Sequence, residues 1–319
     1  MRKFLTRKYY SDKRQHTPAK TKALFALGVV SIVWGTTWIA SKQAVQNMPA
    51  LQMAGIRQFI GGVIFIIYFL IKKQPLPKGK QWIIILNLSF LNFILSNGLS
   101  TWGVKFITSG LGSIISAIFP LWVVIITMFA GKRLPSKALL GMLLGFGGVC
   151  IIFYDHLKDF LNADFRFGIL LSLTATVTWA FGTLYTKKQV VNFNPYVSLG
   201  FQMLISGIVL FTIAFATGNT IPFMAIPATS WWGIGYLVLF GSLITFVAYI
   251  YTLQHLPATL ASVYAYINPI VAVLLGALIL HEKLTIFIAA GGAITIAGVY
   301  LVNNCINKKI ILEPKEPII

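Results

Sequence analysis

The chain is 319 residues long, 57% hydrophobic and only 10% charged, with a mean hydropathy of +0.81, a composition that excludes an ordinary soluble domain. Its formal net charge of +19 would suit a nucleic-acid binder, but the basic residues sit in tails and short connections between apolar runs, which argues for membrane topology and against nucleic acid. So much of the length is apolar that no soluble catalytic domain fits.

Residues 1–22 form a basic tail, too long and too charged for a cleavable signal, and no small-residue cleavage site follows the first span. Apolar runs of about 20 residues cross a hydrocarbon core of roughly 30 Å. They are predicted at 23–44, 51–71, 82–101, 109–130, 136–154, 167–186, 196–217, 231–252, 258–280 and 285–303, followed by a tail at 304–319. In a ten-span count Lys72, Lys73, Lys78, Lys80, Lys132, Arg133, Lys137, Lys187, Lys188, Lys308, Lys309 and Lys315 share the side of the N-terminal tail. The other side receives only Lys42, Lys105, Lys158, Arg166 and Lys283, with Asp155, Asp159 and Asp164 nearby. This positive-inside bias predicts an inner, cytoplasmic-membrane protein with both termini in the cytoplasm.

Span one sets Trp34, Thr37, Trp38 and Ser41 on one helical face and ends at Lys42. Span two carries Arg57, the only cation clearly inside a span. Burying it costs about 3 kcal/mol, less if it snorkels, and it reads either as a structural charge or as an attractor of anionic substrate. Span three contributes Asn97 and, near its end, Trp102; span four a small-residue stripe of Ser109, Gly112, Ser113 and Ser116 running to Pro120. Span five keeps a glycine face at Gly141, Gly145 and Gly148, assigned to helix packing, with a homodimer seam as a further use.

The same features then recur. Span six repeats the first face with Trp179, Gly182, Thr183, Thr186 and Lys187, so that Trp34 falls on Trp179 and Lys42 on Lys187 at a shift of 145. Gln202 in span seven matches Arg57. Span nine repeats the stripe as Ala258, Ala261, Ser262 and Ala265 before Pro269, with Tyr264 and Asn268 adding polar tips, and Gly291 and Gly298 answer Gly141 and Gly148. Five spans per half is an odd number, so the halves, 23–154 and 167–303, are inverted-topology repeats. The stripes before the two prolines serve close helix packing or a cavity wall, readings that are compatible. Each intramembrane polar group serves either an inter-helix hydrogen bond or a substrate contact. Trp102, Trp231 and Trp232 fit interfacial anchoring. Lys42 and Lys187 read as boundary charges, with a gate as the sharper alternative, and Glu282 as a solvated helix end.

These residues resemble the drug/metabolite transporter superfamily in its ten-helix EamA-type branch. The likeness covers residues 22–304 and rests on WGTTW at 34–38, on 113–120 and 262–269 before the paired prolines, and on Glu282-Lys283-Leu284 with its Gly-rich last span. It departs at Lys132, where the family often has an acid like Glu282. The resemblance implies export or uptake of small organic solutes such as amino acids or related metabolites; the expected mechanism is alternating access, the expected direction is export, and the aromatic, hydroxyl-lined face suits amphipathic solutes. The candidate substrate residues are Trp34, Thr37, Trp38, Asn97, Ser116, Trp179, Gln202, Tyr264 and Asn268, with Lys42, Arg57 and Lys187 as charge or gate residues. The expected partners are a small-molecule solute and the bilayer. No cofactor or metal is expected: there is no P-loop, Thr285 stands where a zinc motif after His281-Glu282 needs its second His, and Cys150 and Cys305 make no framework. No span holds an acid, so an obvious proton relay is missing. The alternatives are a sugar or nucleotide-sugar carrier, for which one buried cation is few, and a membrane enzyme or a non-transporting scaffold.

Overall fold

The computed structural model describes residues 18–129, 136–189, 194–256, 261 and 264–312. Most of the tail at 1–22, the Lys132-Arg133-Leu134 stretch, Ala258, Ser262 and residues 313–319 lie outside the described residues. Within them all regular structure is helical. The helices are α1 (Pro18–Gln46), α2 (Ala50–Ile71), α3 (Gln81–Phe106), and α4, which breaks at Ile118 into Ser109–Ala117 and Phe119–Phe129. The second series is α6 (Ala163–Gln189), α7 (Pro195–Ala216), α8 (Ala228–His255), α9 (Tyr264–Leu280) and α10 (Ile286–Leu312), with α5 (Ser136–Asp155) closing the first. By length and composition seven of these can cross a membrane, while α5, α9 and α10 contain the shorter apolar stretches Leu139–Tyr154, Ile267–Leu280 and Ile286–Leu301.

Three features depart from uninterrupted α-helix. The turn widens to π over Ser89–Gly98 in α3 and over Leu237–Ile244 in α8, at matching places in the two halves. A π segment frees a carbonyl, and in α8 the Thr245 hydroxyl donates to the Phe240 carbonyl at 2.6 Å. The break at Ile118 precedes Pro120, which has no N–H for the turn before it. The last helix continues past residue 303 to Leu312.

The two halves interlock through their first helices. Helix α1 packs on α8 and α9 of the second half, and α6 packs on α3 and α4 of the first. Three further contacts, α2 with α7, α4 with α9 and α5 with α10, join like to like across the inversion. Two of these rest on bare backbone. A methyl added at Gly62 would fall on the Leu204 backbone and one at Gly207 on the Phe59 backbone; one at Gly148 would fall on Thr295 and the Gly291 carbonyl. The glycine face of α5 is therefore occupied by α10 of the same chain, not left free as a dimer seam. Where no hydrophobic force distinguishes helix from lipid, such close approach is what holds helices together.

Gly147, next to Gly148, has nothing within 4 Å of an added methyl. We expect Gly148→Val to destabilise the detergent-solubilised protein by about 1–3 kcal/mol through overpacking and Gly147→Val to be neutral. Thermal unfolding followed by size exclusion distinguishes them, and equal midpoints would refute the packing.

Candidate functional site: two cavities about an aromatic layer

The repeated tryptophans meet. The rings of Trp34 and Trp179 lie 5.6 Å apart, edge to face at 77°, so the axis relating the halves passes between them. Phe246, Tyr249 and Tyr264 surround Trp34 at 5.1, 5.0 and 5.1 Å, and Phe119 stacks on Tyr264 at 5.6 Å. Both indole N–H groups are satisfied: Trp34 donates to the Gly241 carbonyl at 3.3 Å and Trp179 to the Tyr264 hydroxyl at 2.8 Å. Tyr249 and Thr183 share a hydrogen bond of 3.1 Å. Leu27, Val30, Leu253 and Leu256 continue this layer as dry core.

On one side of the layer lies a cavity of about 110 Å³, far more than the ~10–15 Å³ that a single water needs. It runs along α1 from Trp34 to Ser41, along α3 from Asn92 to Val104, and along α6 from Trp179 back to Ser172. Trp34, Thr37, Trp38, Asn97, Ser116, Trp179 and Asn268 all line it, as does Arg57. With its amide oriented as its neighbours require, Asn268 donates to the Ser31 carbonyl at 2.5 Å and the Tyr264 carbonyl at 3.2 Å. Asn97 accepts from Gln58 at 2.8 Å.

Two candidates sit elsewhere. Tyr264 is buried behind the tryptophans, its hydroxyl engaged by Trp179. Gln202 donates to Ser198 at 2.8 Å and lines a second cavity of about 30 Å³, with Thr186, Phe246, Tyr249 and Ile250. This smaller cavity is the inverted counterpart of the larger one: Thr186 answers Ser41, Gln202 answers Arg57, and Phe246, Tyr249 and Ile250 answer Asn97, Ser100 and Thr101. Small polar groups on α3 have become aromatic and aliphatic ones on α8, and the space is correspondingly filled.

Arg57 does not reach the membrane boundary. It is 4% exposed, and its Nε donates to the Ser242 hydroxyl at 3.0 Å. The absence of a side chain at Gly241 lets it approach: a methyl there would stand 2.9 Å from Nη2.

Lys42 and Lys187 line neither cavity. The three protons of Lys42 Nζ go to the carbonyls of Val104, Lys105 and Ile107 at 3.0, 3.2 and 2.8 Å, closing the C-terminus of α3. Lys187 does the same for α8 through Leu253 and Leu256 at 2.7 and 3.3 Å. Glu282 corrects the expectation of a solvated end. It accepts from the Ser109 and Gly110 backbone N–H groups at 2.7 and 3.1 Å and from the Ser109 hydroxyl at 2.9 Å, capping α4. His281 makes this possible by turning through φ 53. Of the expected anchors, Trp232 is 81% exposed, whereas Trp102 packs edge-on against Phe167 at 5.1 Å.

Six polar residues beyond the expected ones also line the larger cavity: Asn92, Ser96, Ser100 and Thr101 on α3 and Ser172 and Thr176 on α6. The signal was a polar residue every fourth position, at 92, 96 and 100, ending at Val104. In an α-helix each step of four drifts by only ~40°, so these residues share one face, and they stay on it through the π segment.

Comparison with known proteins agrees with this geometry. The EamA-like transporter family model matches residues 21–154 and 166–304. The chain belongs to the EamA-like transporter family. It is 28% identical over 289 residues to the uncharacterized transporter YoaV of Bacillus subtilis (strain 168), covering 86% of this chain and 95% of that protein. It is 29% identical over 256 residues to the uncharacterized inner membrane transporter YedA of Escherichia coli (strain K12), 80% of each chain. One solved crystal structure shares the fold with a TM-score of 0.65 at 16% identity, over 88% of this chain and 97% of that one. This EamA-like protein is thus a multi-pass membrane transporter, and its family points away from an enzyme. Among the described residues no cluster of metal-ligating side chains exists.

The Glu282 cap is testable in this transporter. Glu282→Ala should destabilise it by about 1–2 kcal/mol and Glu282→Gln, which keeps the acceptor oxygen, by less. Thermal unfolding of both variants checks this, and an unshifted Glu282→Ala midpoint would contradict it.

Proposed function

We propose that this chain is a secondary transporter of small, amphipathic organic metabolites, working by alternating access across the cytoplasmic membrane with both termini in the cytoplasm. The observation that carries the reading is the pair of inverted cavities sharing one aromatic wall. In this state the larger space lies toward the C-terminal end of α1, which the basic loops assign to the outside, and the aromatic layer separates it from the smaller one. Exchanging the roles of the halves about the Trp34–Trp179 contact closes the first space and opens the second. The expected direction is export. The lining of indoles, hydroxyls and amides with one cation suits a solute with an apolar body and few polar groups; a phosphate-bearing sugar nucleotide calls for more cations than Arg57 alone.

Two measurements test this. In a Cys150→Ser, Cys305→Ser background, Ser100→Cys should react with an impermeant thiol reagent from outside and Thr186→Cys be protected. A transported solute should move the two reactivities in opposite directions; if none in a broad panel does so, alternating access fails. In proteoliposome counterflow, Trp34→Ala and Asn268→Ala should fold yet lose exchange by about tenfold or more, while unchanged exchange in Trp34, Trp38, Trp179 and Asn268 variants would remove the cavity from the mechanism.

A further inference from the structure

Arg57 presents more charge than the fold uses. Its guanidinium carries five N–H donors, and its protein hydrogen bond takes one of them, to the neutral Ser242 hydroxyl. The rest of the fork faces Gly241 and the larger cavity. Among the described residues no carboxylate pairs with it; the ion pair found there joins His156 to Asp159. The acids of the sequence, Asp12, Asp155, Asp159, Asp164, Glu282, Glu313 and Glu316, fall in the tails, the loops or the end turns of helices. A buried cation without a counter-charge is among the costlier things a membrane protein can keep.

The inverted half shows what the position needs structurally. Gln202 occupies the equivalent place on α7, and a neutral amide suffices there, bonded to Ser198. That bond lies within α7, and the helix is joined to α3 at this point by the Gln202 carbonyl, which accepts from the Ser89 hydroxyl at 2.8 Å, so the second helix of this half packs without a charge at the equivalent position. The guanidinium at residue 57 adds an anion-binding fork at the wall of a cavity that also holds Trp34 and Trp38.

Resting on the transporter reading above, we propose that Arg57 is the anion-recognising group of the larger cavity and that the transported solute carries a carboxylate, paired with the guanidinium while its apolar body lies against the indoles. A carboxylate matches the fork in charge and geometry, and a single cation neutralises one such group.

The test uses the full chain in proteoliposomes, with counterflow of phenylacetate, indole-3-acetate and phenylalanine, each set against its primary amide, and of phenyl phosphate. We expect the acids to exchange and their amides not to. Arg57→Gln should then lower acid exchange by about 10–100-fold and Arg57→Lys, a point charge without the fork, by less. Exchange of amides equal to acids, preferential exchange of phenyl phosphate, or Arg57→Gln exchange equal to that of the unaltered chain would overturn the carboxylate proposal and leave the transporter standing. No exchange of any probe, whatever its charge, would count against the transporter reading itself and the proposal with it. Should Arg57→Gln fail to fold, the acid-to-amide ratio of the unaltered chain and the Arg57→Lys variant still decide.

Discussion

The contact between Trp34 and Trp179 is the constraint around which the molecule is arranged. Inverted repeats bring equivalent residues together only at their axis, so a self-contact of this kind fixes where the axis runs. The contact is an edge-to-face pair at 5.6 Å, a geometry that aromatic rings favour. The symmetry ends at the indole nitrogens. One N–H finds a backbone carbonyl in a π segment, and the other finds a tyrosine hydroxyl. Equivalent helices with unequal surroundings are what allow one space to be open and its counterpart filled.

The helix ends show the same balance of repetition and difference. Lys42 and Lys187 close the third helix of their own halves through equivalent carbonyls, since a cation at a helix C-terminus meets both the dipole and the unpaired carbonyls. Glu282, in contrast, caps α4, while the matching position in the first half is Lys132. One end of the bundle thus carries an opposed pair of charges, whereas the matching residues in the sequence are both lysines.

Much of this was legible in the sequence because duplication writes each landmark twice. The face of α1 reads directly from Trp34, Thr37 and Trp38 at helical spacing, and these residues line the larger cavity. The polar face of α3 is spaced at i, i+4 and i+8, an ordinary same-face row of an α-helix, but its Asn and Ser residues have no aromatic landmark beside them of the kind that marks the face of α1. Gln202 was grouped with Arg57 by alignment, yet inversion sends aligned residues to opposite sides, so it lines the smaller space. Tyr264 looked like a polar tip but supplies the acceptor that Trp179 needs. Glu282 looked solvated because only the turn at His281, invisible in a local pattern, carries it back to α4.

The asymmetry between α3 and α8 also bears on energy. Filling the smaller space are Phe246, Tyr249 and Ile250; facing the larger one are Asn97, Ser100 and Thr101. Opening the smaller space to water exposes apolar surface at roughly 25 cal/mol per Å², and closing the larger one desolvates amides and hydroxyls that then need partners. In the proposed alternating-access cycle both costs run the same way, against closing the larger space. A ligand shifts such an equilibrium only by its difference in affinity between the two states. That difference must come from groups that the halves do not share, and among the described residues lining the two cavities Arg57 against Gln202 is the exchange in which a charge is gained or lost.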